Sequence, residues 1–73
     1  MDLHQFLAQM SREEREKFAS RCDTTLGHLK NVSYGYRTCA ESLAIAIERE
    51  SKRKVRCEQL RPDVDWAYLR RSA

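Results

Sequence analysis

Apolar residues recur every three or four positions along most of the chain, the spacing that places side chains on one face of an α-helix. The first such set consists of Leu3, Phe6, Leu7 and Met10. Later sets at the same spacing are Phe18, Ala19 and Cys22, then Leu29 and Val32, then Ala40, Leu43, Ala44 and Ile47. The pattern predicts an all-α protein with four main helices at about 2–9, 12–22, 25–34 and 39–50, and a short turn near 57–61.

Short polar residues mark where these helices begin. A Ser or Thr followed three residues later by Glu forms a capping box, in which each side chain bonds the backbone N–H of the other residue. Two pairs fit this pattern: Ser11 with Glu14, and Thr38 with Glu41. Single residues suited to a helix start are Asp2 and Thr25. The third helix can end at Gly35, because glycine adopts the left-handed conformation at little cost.

Residues 15–34 have the most definite organisation in the chain, since they combine two short helices with a tight turn. The turn is Asp23-Thr24-Thr25, about as long as the turn of a helix-turn-helix. Ala19 has the small side chain needed where the first of these helices crosses the second. We therefore expect a helix-turn-helix at about 15–34, inside a compact bundle of four to five helices.

The sequence CDTTLGHLKNVSYG resembles the helix-turn-helix of the lambdoid Cro and repressor family. The segments YGYR, ESLAIAIE and LRPD resemble, more specifically, the YdaS group of Cro-like regulators, which occur as phage repressors and as so-called antitoxins. The resemblance covers roughly residues 2–66. One departure is Asp23, where the family usually has Gly. Asp tolerates the left-handed region better than most residues, so we expect the turn to survive with some strain.

The resemblance implies a regulator that binds duplex DNA and inserts its second helix, about 25–34, into the major groove of a palindromic operator, as a dimer. The implied base-reading residues are Thr25, Leu26, Gly27, Lys30 and Asn31. The implied phosphate contacts are Thr24, His28, Ser33, Tyr34, Tyr36 and Arg37. Asn31 can read adenine through two hydrogen bonds and Leu26 can meet a thymine methyl group. Gly27 can let the backbone approach the DNA closely, although it weakens the helix by roughly 0.5–1 kcal/mol relative to Ala.

Charge is distributed in a way that agrees with a nucleic-acid partner. The net charge is only +3, from 14 Lys and Arg against 11 Asp and Glu. No acidic residue occurs from position 24 to position 40, although this stretch contains Lys30 and Arg37. A surface that approaches phosphates must exclude carboxylates, so the acid-free stretch favours a nucleic-acid partner over chance. The resemblance implies that this partner is double-stranded DNA.

Several other classes of protein fit the sequence poorly. No signal peptide or membrane-spanning segment is evident, so we expect a cytoplasmic protein encoded by a bacterium or phage. The three cysteines, 17 and 18 residues apart, give an odd count and no metal-ligand spacing. A Cys–His nucleophile pair is conceivable with His4 or His28, but a 73-residue chain leaves little room for a substrate pocket. We expect no metal, no cofactor and no enzymatic activity.

The last third of the chain has two interpretations. Residues 1–62 are expected to form the DNA-binding domain. Within it, Ser51 to Lys54 is a polar, basic break that, with Arg49 and Arg56, has five cations in eight residues, and we expect a solvated loop there rather than a direct DNA contact. Residues 63–73 are too apolar for a free tail and too short for a stable isolated helix. They either complete the core of the monomer or mediate self-association. We favour self-association, as a homodimer or higher oligomer, through Val64, Trp66, Tyr68 and Leu69.

Two alternative functions remain at this point. The chain could be an antitoxin-type module that neutralises a partner toxin directly, which would require a large apolar surface. It could also bind RNA, which would require exposed aromatic rings for stacking on unpaired bases. Only Tyr34 and Tyr36 are placed for such stacking.

Overall fold

The computed structural model describes residues 1–72, which contain six helices and no β-strand. In chain order they are α1 (Leu3–Ala8), α2 (Arg12–Arg21), α3 (Leu26–Ser33), α4 (Glu41–Glu50), α5 (Cys57–Leu60) and α6 (Trp66–Ser72). The all-α prediction is confirmed, and α5 replaces the turn expected near 57–61. The number of helices is larger than the predicted four to five, because α6 was not foreseen. None of the helices in residues 1–72 has the length and apolarity that crossing a lipid bilayer requires.

The predicted helix starts are confirmed for the first three helices. The Ser11 hydroxyl accepts from the Glu14 N–H at 3.2 Å, and a Glu14 carboxylate oxygen accepts from the Ser11 N–H at 3.0 Å. Asp2 caps α1 in a similar box with Gln5. The Thr25 hydroxyl accepts from the backbone N–H of the third residue after it, at 3.1 Å. The α2–α3 part of the chain therefore follows from local side-chain chemistry.

The predicted capping box at the start of α4 is wrong. The helix begins at Glu41 after Ala40, which provides no side-chain cap. The carboxylate of Glu41 instead lies 3.2 Å from a guanidinium nitrogen of Arg61, and another contact of that guanidinium is the Cys39 carbonyl at 2.9 Å. The Glu41 carboxylate, which the local pattern predicted to bond the Thr38 N–H, thus forms a long-range ion pair with Arg61 instead.

Three helices end in a similar way, with a residue in the left-handed region after the last turn. These residues are Asp23 after α2 (φ 57°), Gly35 after α3 (φ 83°) and Lys52 after α4 (φ 56°). After α4 the following Arg53 is left-handed as well (φ 68°). In each case the next backbone N–H returns to the carbonyl five residues earlier, at 2.8–3.0 Å. This pattern is the Schellman motif, and it satisfies carbonyls that the helix leaves without partners. The left-handed conformations expected for Asp23 and Gly35 are confirmed.

The core lies between the helices, with α3 packed against α1 and α2, and α4 packed against α2 and α5. Its buried residues are Leu3, Leu7, Phe18, Ala19, Cys22, Leu29, Cys39, Leu43, Ala44, Ala46, Ile47, Val55, Cys57 and Trp66. Ser51 is also buried, although we expected a solvated break there. Its hydroxyl accepts from the Val55 N–H at 3.1 Å and lies 3.2 Å from the Glu48 carbonyl. Lys52, Arg53 and Lys54 are exposed as expected.

The C-terminal segment folds back onto the preceding helices. Trp66 is 4% exposed, and its indole N–H donates to the Arg61 carbonyl at 2.8 Å. Trp66 is therefore a residue of the protein's own core, not a free anchor for a second copy. Tyr68 and Leu69 are 67% and 44% exposed, and Val64 is half-buried against the core.

Candidate nucleic-acid interface

Helix α3 presents one of its faces to solvent while the opposite face holds it in the fold. Leu29 is fully buried, and Leu26 and Val32 pack against the same core. On the other face, Gly27, Lys30, Asn31 and Tyr34 are exposed. We refer to these four residues as the outer face of α3. The helical period of 3.6 residues accounts for this division, because positions three and four apart share a side.

The structure places the five residues predicted to read bases in two different environments. Thr25, Gly27, Lys30 and Asn31 are exposed, and the Thr25 hydroxyl keeps its proton free because it only accepts from the His28 N–H. Leu26 is half-buried against the core, so only an edge of its side chain is available to a partner.

The six residues predicted to contact phosphates divide similarly. Tyr34, Tyr36 and Arg37 are exposed, with the two tyrosine rings 5.9 Å apart. The other three are half-buried: Thr24, His28 and Ser33. Ser33 donates its hydroxyl proton to the Lys30 carbonyl at 2.7 Å, within its own helix. A hydrogen bond from Ser33 to a phosphate would have to break that interaction, so Ser33 is the weakest of the six candidates for phosphate contact.

The loop after α3 is fixed to the helix end. The backbone N–H groups of Tyr36 and Arg37 both point to the Asn31 carbonyl, at 2.9 and 3.3 Å. Asn31 thus exposes its amide side chain on the outer face of α3 and holds the loop through its backbone carbonyl. Arg37 is held near the outer face of α3 by backbone geometry.

Two clefts flank the outer face of α3. The α1-side cleft, of about 150 Å³, is lined by His4, Leu7, Ala8, Arg15, Lys30, Ser33 and Tyr34. Its lining contains no carboxylate. The α4-side cleft, of about 370 Å³, is lined by residues that include Arg21, Asp23, Thr24, His28, Ser42 and Arg49. Its two arginines lie 3.3 and 3.0 Å from Glu50, so their charges are partly cancelled.

Sequence reasoning did not connect His4 or Arg15 with this region. His4 lies off the apolar stripe of α1, and Arg15 belongs to a run of charges that is typical of solvated surface. The two residues meet α3 only because α1 and α2 pack against it, and no local signal in the sequence reports that packing.

The basic residues on and after the outer face of α3 are not neutralised by the protein. Within residues 1–72, no carboxylate lies within 4.0 Å of the charged groups of Lys30 or Arg37. Neither residue has a Coulombic partner that would have to be displaced on binding an anion. This arrangement suits a polyanionic ligand.

The cysteines offer little chemistry of their own. Burial, the largest cause, raises the pKa of each of the Cys22, Cys39 and Cys57 thiols to about 11. At neutral pH they are therefore protonated, and only a thiolate is a competent nucleophile or metal ligand. Their contribution is to packing.

No protein-family model matches this chain. Over 39 residues, or 53% of its length, the chain is 54% identical to a protein of Escherichia coli (strain K12) named "Putative transcriptional regulator YdaS". The matched segment covers 40% of that protein, so the similarity extends to less than half of the relative. The chain is thus similar, over about half its length, to a protein named as a regulator of transcription.

Proposed function

We propose that this protein is a transcriptional regulator that binds double-stranded DNA with sequence specificity, with α2 and α3 acting as a helix-turn-helix. The observation that carries the proposal is the outer face of α3, which is exposed, basic and free of carboxylates. The similarity to the YdaS protein supports the same function. A helix of this diameter fits the major groove, which is about 12 Å wide.

In the proposed complex, the outer face of α3 meets base edges. Asn31 reads an adenine, because its amide can donate and accept at the same time. Thr25 donates its free hydroxyl proton, and Gly27 brings the backbone close to the bases. Leu26 contributes the exposed edge of its side chain to a thymine methyl group.

Phosphate contacts orient the helix without reading sequence. Arg37 and the hydroxyls of Tyr34 and Tyr36 are suited to this role, because they are exposed around the C-terminal end of α3. Thr24 and His28 are suited to the other end of α3. Contacts at both ends would fix the register of the helix in the groove.

The protein is proposed to bind a palindromic operator as a two-fold dimer, because one module contacts only a few base pairs. Such dimers place their recognition helices about 34 Å apart, one turn of DNA. The exposed Tyr68 on α6 is the favoured anchor, because tyrosine often dominates such contacts. Sedimentation velocity over a range of protein concentrations tests this assembly. Tyr68→Ser should weaken association, whereas Ile45→Ser, which removes a similarly exposed apolar side chain from α4, should not. The reverse ranking would place the contact on α4.

The proposed function is tested by binding measurements on the full chain. A preferred duplex is first selected from a randomised library, and fluorescence anisotropy then compares it with a scrambled duplex and a single strand of the same length. We expect clear preference for the selected duplex. Equal affinity for both duplexes would remove specificity from the proposal. Preference for the single strand would favour the RNA-type alternative.

A further inference from the structure

We propose that the α1-side cleft is a binding site for a backbone phosphate of the duplex, so that α1 is part of the DNA interface. This inference rests on the proposed function and extends it to His4 and Arg15, which no helix-turn-helix pattern assigns. It also gives Lys30 a second role, as a phosphate ligand rather than solely a base reader.

The chemistry of the cleft is that of an anion site. Its polar lining comprises His4, Arg15, Lys30, Ser33 and Tyr34, and no carboxylate. The His4 and Tyr34 rings lie 5.7 Å apart, and both line this cleft. Both rings carry a hydrogen-bond donor, and lysine supplies a strong point charge for phosphate.

Arg15 is fixed in a position that leaves donors available. Its Nε–H donates to the Leu7 carbonyl at 2.6 Å, which ties α2 to the end of α1. Its two terminal nitrogens make no hydrogen bond within residues 1–72. An arginine held in this way loses little conformational entropy when a phosphate binds, because its side chain is already ordered.

The size of the cleft restricts its occupant. A volume of about 150 Å³ is roughly five times the share of liquid volume that one water molecule occupies. It is below the roughly 300–1,000 Å³ of pockets that enclose drug-sized ligands. The cleft therefore fits a phosphate group better than a base or a nucleotide.

The position of the cleft agrees with this occupant. Lys30 and Tyr34 belong to the outer face of α3 and also line the cleft. A helix in the major groove has a phosphate backbone on each side, because the groove is bounded by both strands. On the α4 side, Asp23 and Glu50 reduce the positive charge. The lining of the α1-side cleft contains no carboxylate, although Asp2 and Asp63 line a neighbouring cleft that also includes His4 and Ser33. The α1-side cleft itself is therefore where a phosphate is held.

The test uses the full chain with His4→Ala and Lys30→Ala, and Gln9→Ala as an exposed control on α1 outside the cleft. We expect His4→Ala to weaken both the selected and the scrambled duplex by a similar factor, about three- to tenfold. Lys30→Ala should also weaken both, with the larger loss on the selected duplex because Lys30 reads bases as well. Lys30→Ala should also reduce the slope of log affinity against log salt by about one. Gln9→Ala should leave both affinities unchanged. Circular dichroism melting confirms that each variant is folded.

A second measurement reports on the site itself. Ring resonances of His4 and Tyr34 should shift in NMR spectra when the scrambled duplex is added to the native chain. Absence of these shifts, with His4→Ala binding as the native chain does, would overturn the phosphate site and leave the proposed function intact. A loss confined to the selected duplex would also overturn it, since a base-reading role would then apply. Failure of the native chain to bind any duplex would instead reject the proposed function.

Discussion

The cations of the C-terminal segment and those around the outer face of α3 differ in what surrounds them. Arg61 makes two 2.9 Å contacts with Asp63 and a 3.2 Å contact with Glu41, and Arg70 lies 3.0 Å from Glu48 and 2.6 Å from Glu58. Lys30 and Arg37 have no such partners within residues 1–72. Residue type alone therefore does not tell which cations bind a ligand. Within residues 1–72, Lys30 and Arg37 beside α3 are among the cations that lack a carboxylate partner, as are the exposed Lys52, Arg53 and Lys54 after α4.

The carboxylates that pair with Arg61 and Arg70 contribute to stability in a pH-dependent way. Burial alone would raise the pKa of Glu48, but hydrogen bonds from the Cys57 N–H and from Arg70 lower it below its usual value. Hydrogen bonds from arginine likewise lower the pKa of Glu58 and of Asp63. A carboxyl group whose pKa is lowered by folding stabilises the folded state above its unfolded pKa, and this contribution is lost as the pH falls through the folded value.

The largest expected effect is at the residue that ties the C-terminal segment to the core. Trp66→Ala should lower the free energy of unfolding by about 3–5 kcal/mol, because it removes a buried aromatic side chain. In a domain this small, that loss is most of the stability. Urea titration followed by circular dichroism measures the change, with Tyr36→Ser, which removes an exposed ring from the loop after α3, as control within about 0.5 kcal/mol of the native chain. Native-like stability in Trp66→Ala would show that α6 does not belong to the core.

The α2–α3 part of the chain and helix α6 also differ in how well the sequence predicted them. The α2–α3 part followed from signals within four or five residues, such as Ser11 with Glu14 and the left-handed positions at Asp23 and Gly35. Helix α6 was missed because its docking depends on contacts distant in sequence, such as Arg70 with Glu48, 22 residues apart. Its local signal was present, since the Asp65 side chain accepts from the Tyr68 N–H at 3.1 Å.

The sequence likewise predicted only part of the candidate site. The resemblance to the lambdoid helix-turn-helix implied that Gly27, Lys30 and Asn31 would face a partner, and the structure leaves all three exposed. The flanking clefts could not be predicted, because they form where separate helices meet. His4 and Arg15 reach the α1-side cleft through packing that depends on the whole core.

The next largest effects are expected around α3, and they should appear in binding rather than in stability. Asn31→Ala should cost about 1–3 kcal/mol on the selected duplex and relax preference at one base pair. Arg37→Ala should weaken all duplexes nearly equally and reduce the salt slope by about one. Anisotropy titrations at several salt concentrations measure both quantities. If the two variants behaved alike on selected and scrambled DNA, base reading and phosphate contact would not be separable here.

A smaller effect is expected at the ion pairs of the C-terminal segment. Arg70→Met should lower the free energy of unfolding only slightly, because partly exposed pairs are weak. Native stability should fall as the pH drops below about 4.3, the usual range for Glu, and the decline should be shallower in Arg70→Met. Urea titrations at pH 7, 5 and 3 measure the difference. DNA affinity at neutral pH should be unchanged, and a loss there would mean that Arg70 also serves the interface.

The smallest effect is expected for Gly27→Ala, which should raise the stability of the fold but lower its affinity for DNA. Apart from the adjoining residues and the backbone of α3 itself, no atom of residues 1–72 lies within 4 Å of the position that a Cβ would occupy on Gly27, so alanine fits without strain in the free chain. Gly27→Ala should stabilise the fold by about 0.5–1 kcal/mol, because alanine loses less conformational entropy in a helix. For a domain of this size, that gain corresponds to a rise in Tm of about 2–8 °C.

The added methyl group of Gly27→Ala would point away from the core, towards the proposed position of the bases. If the backbone approaches the DNA closely at Gly27, affinity for the selected duplex should fall even though the protein is more stable. Ser20→Ala provides the matched control, because it also favours helix formation but lies on α2, outside both clefts beside α3. It should raise the melting temperature without changing affinity. Unchanged or increased affinity in Gly27→Ala would instead mean that the N-terminal turn of α3 stays clear of the groove floor, and that specificity depends on the side chains of Lys30 and Asn31.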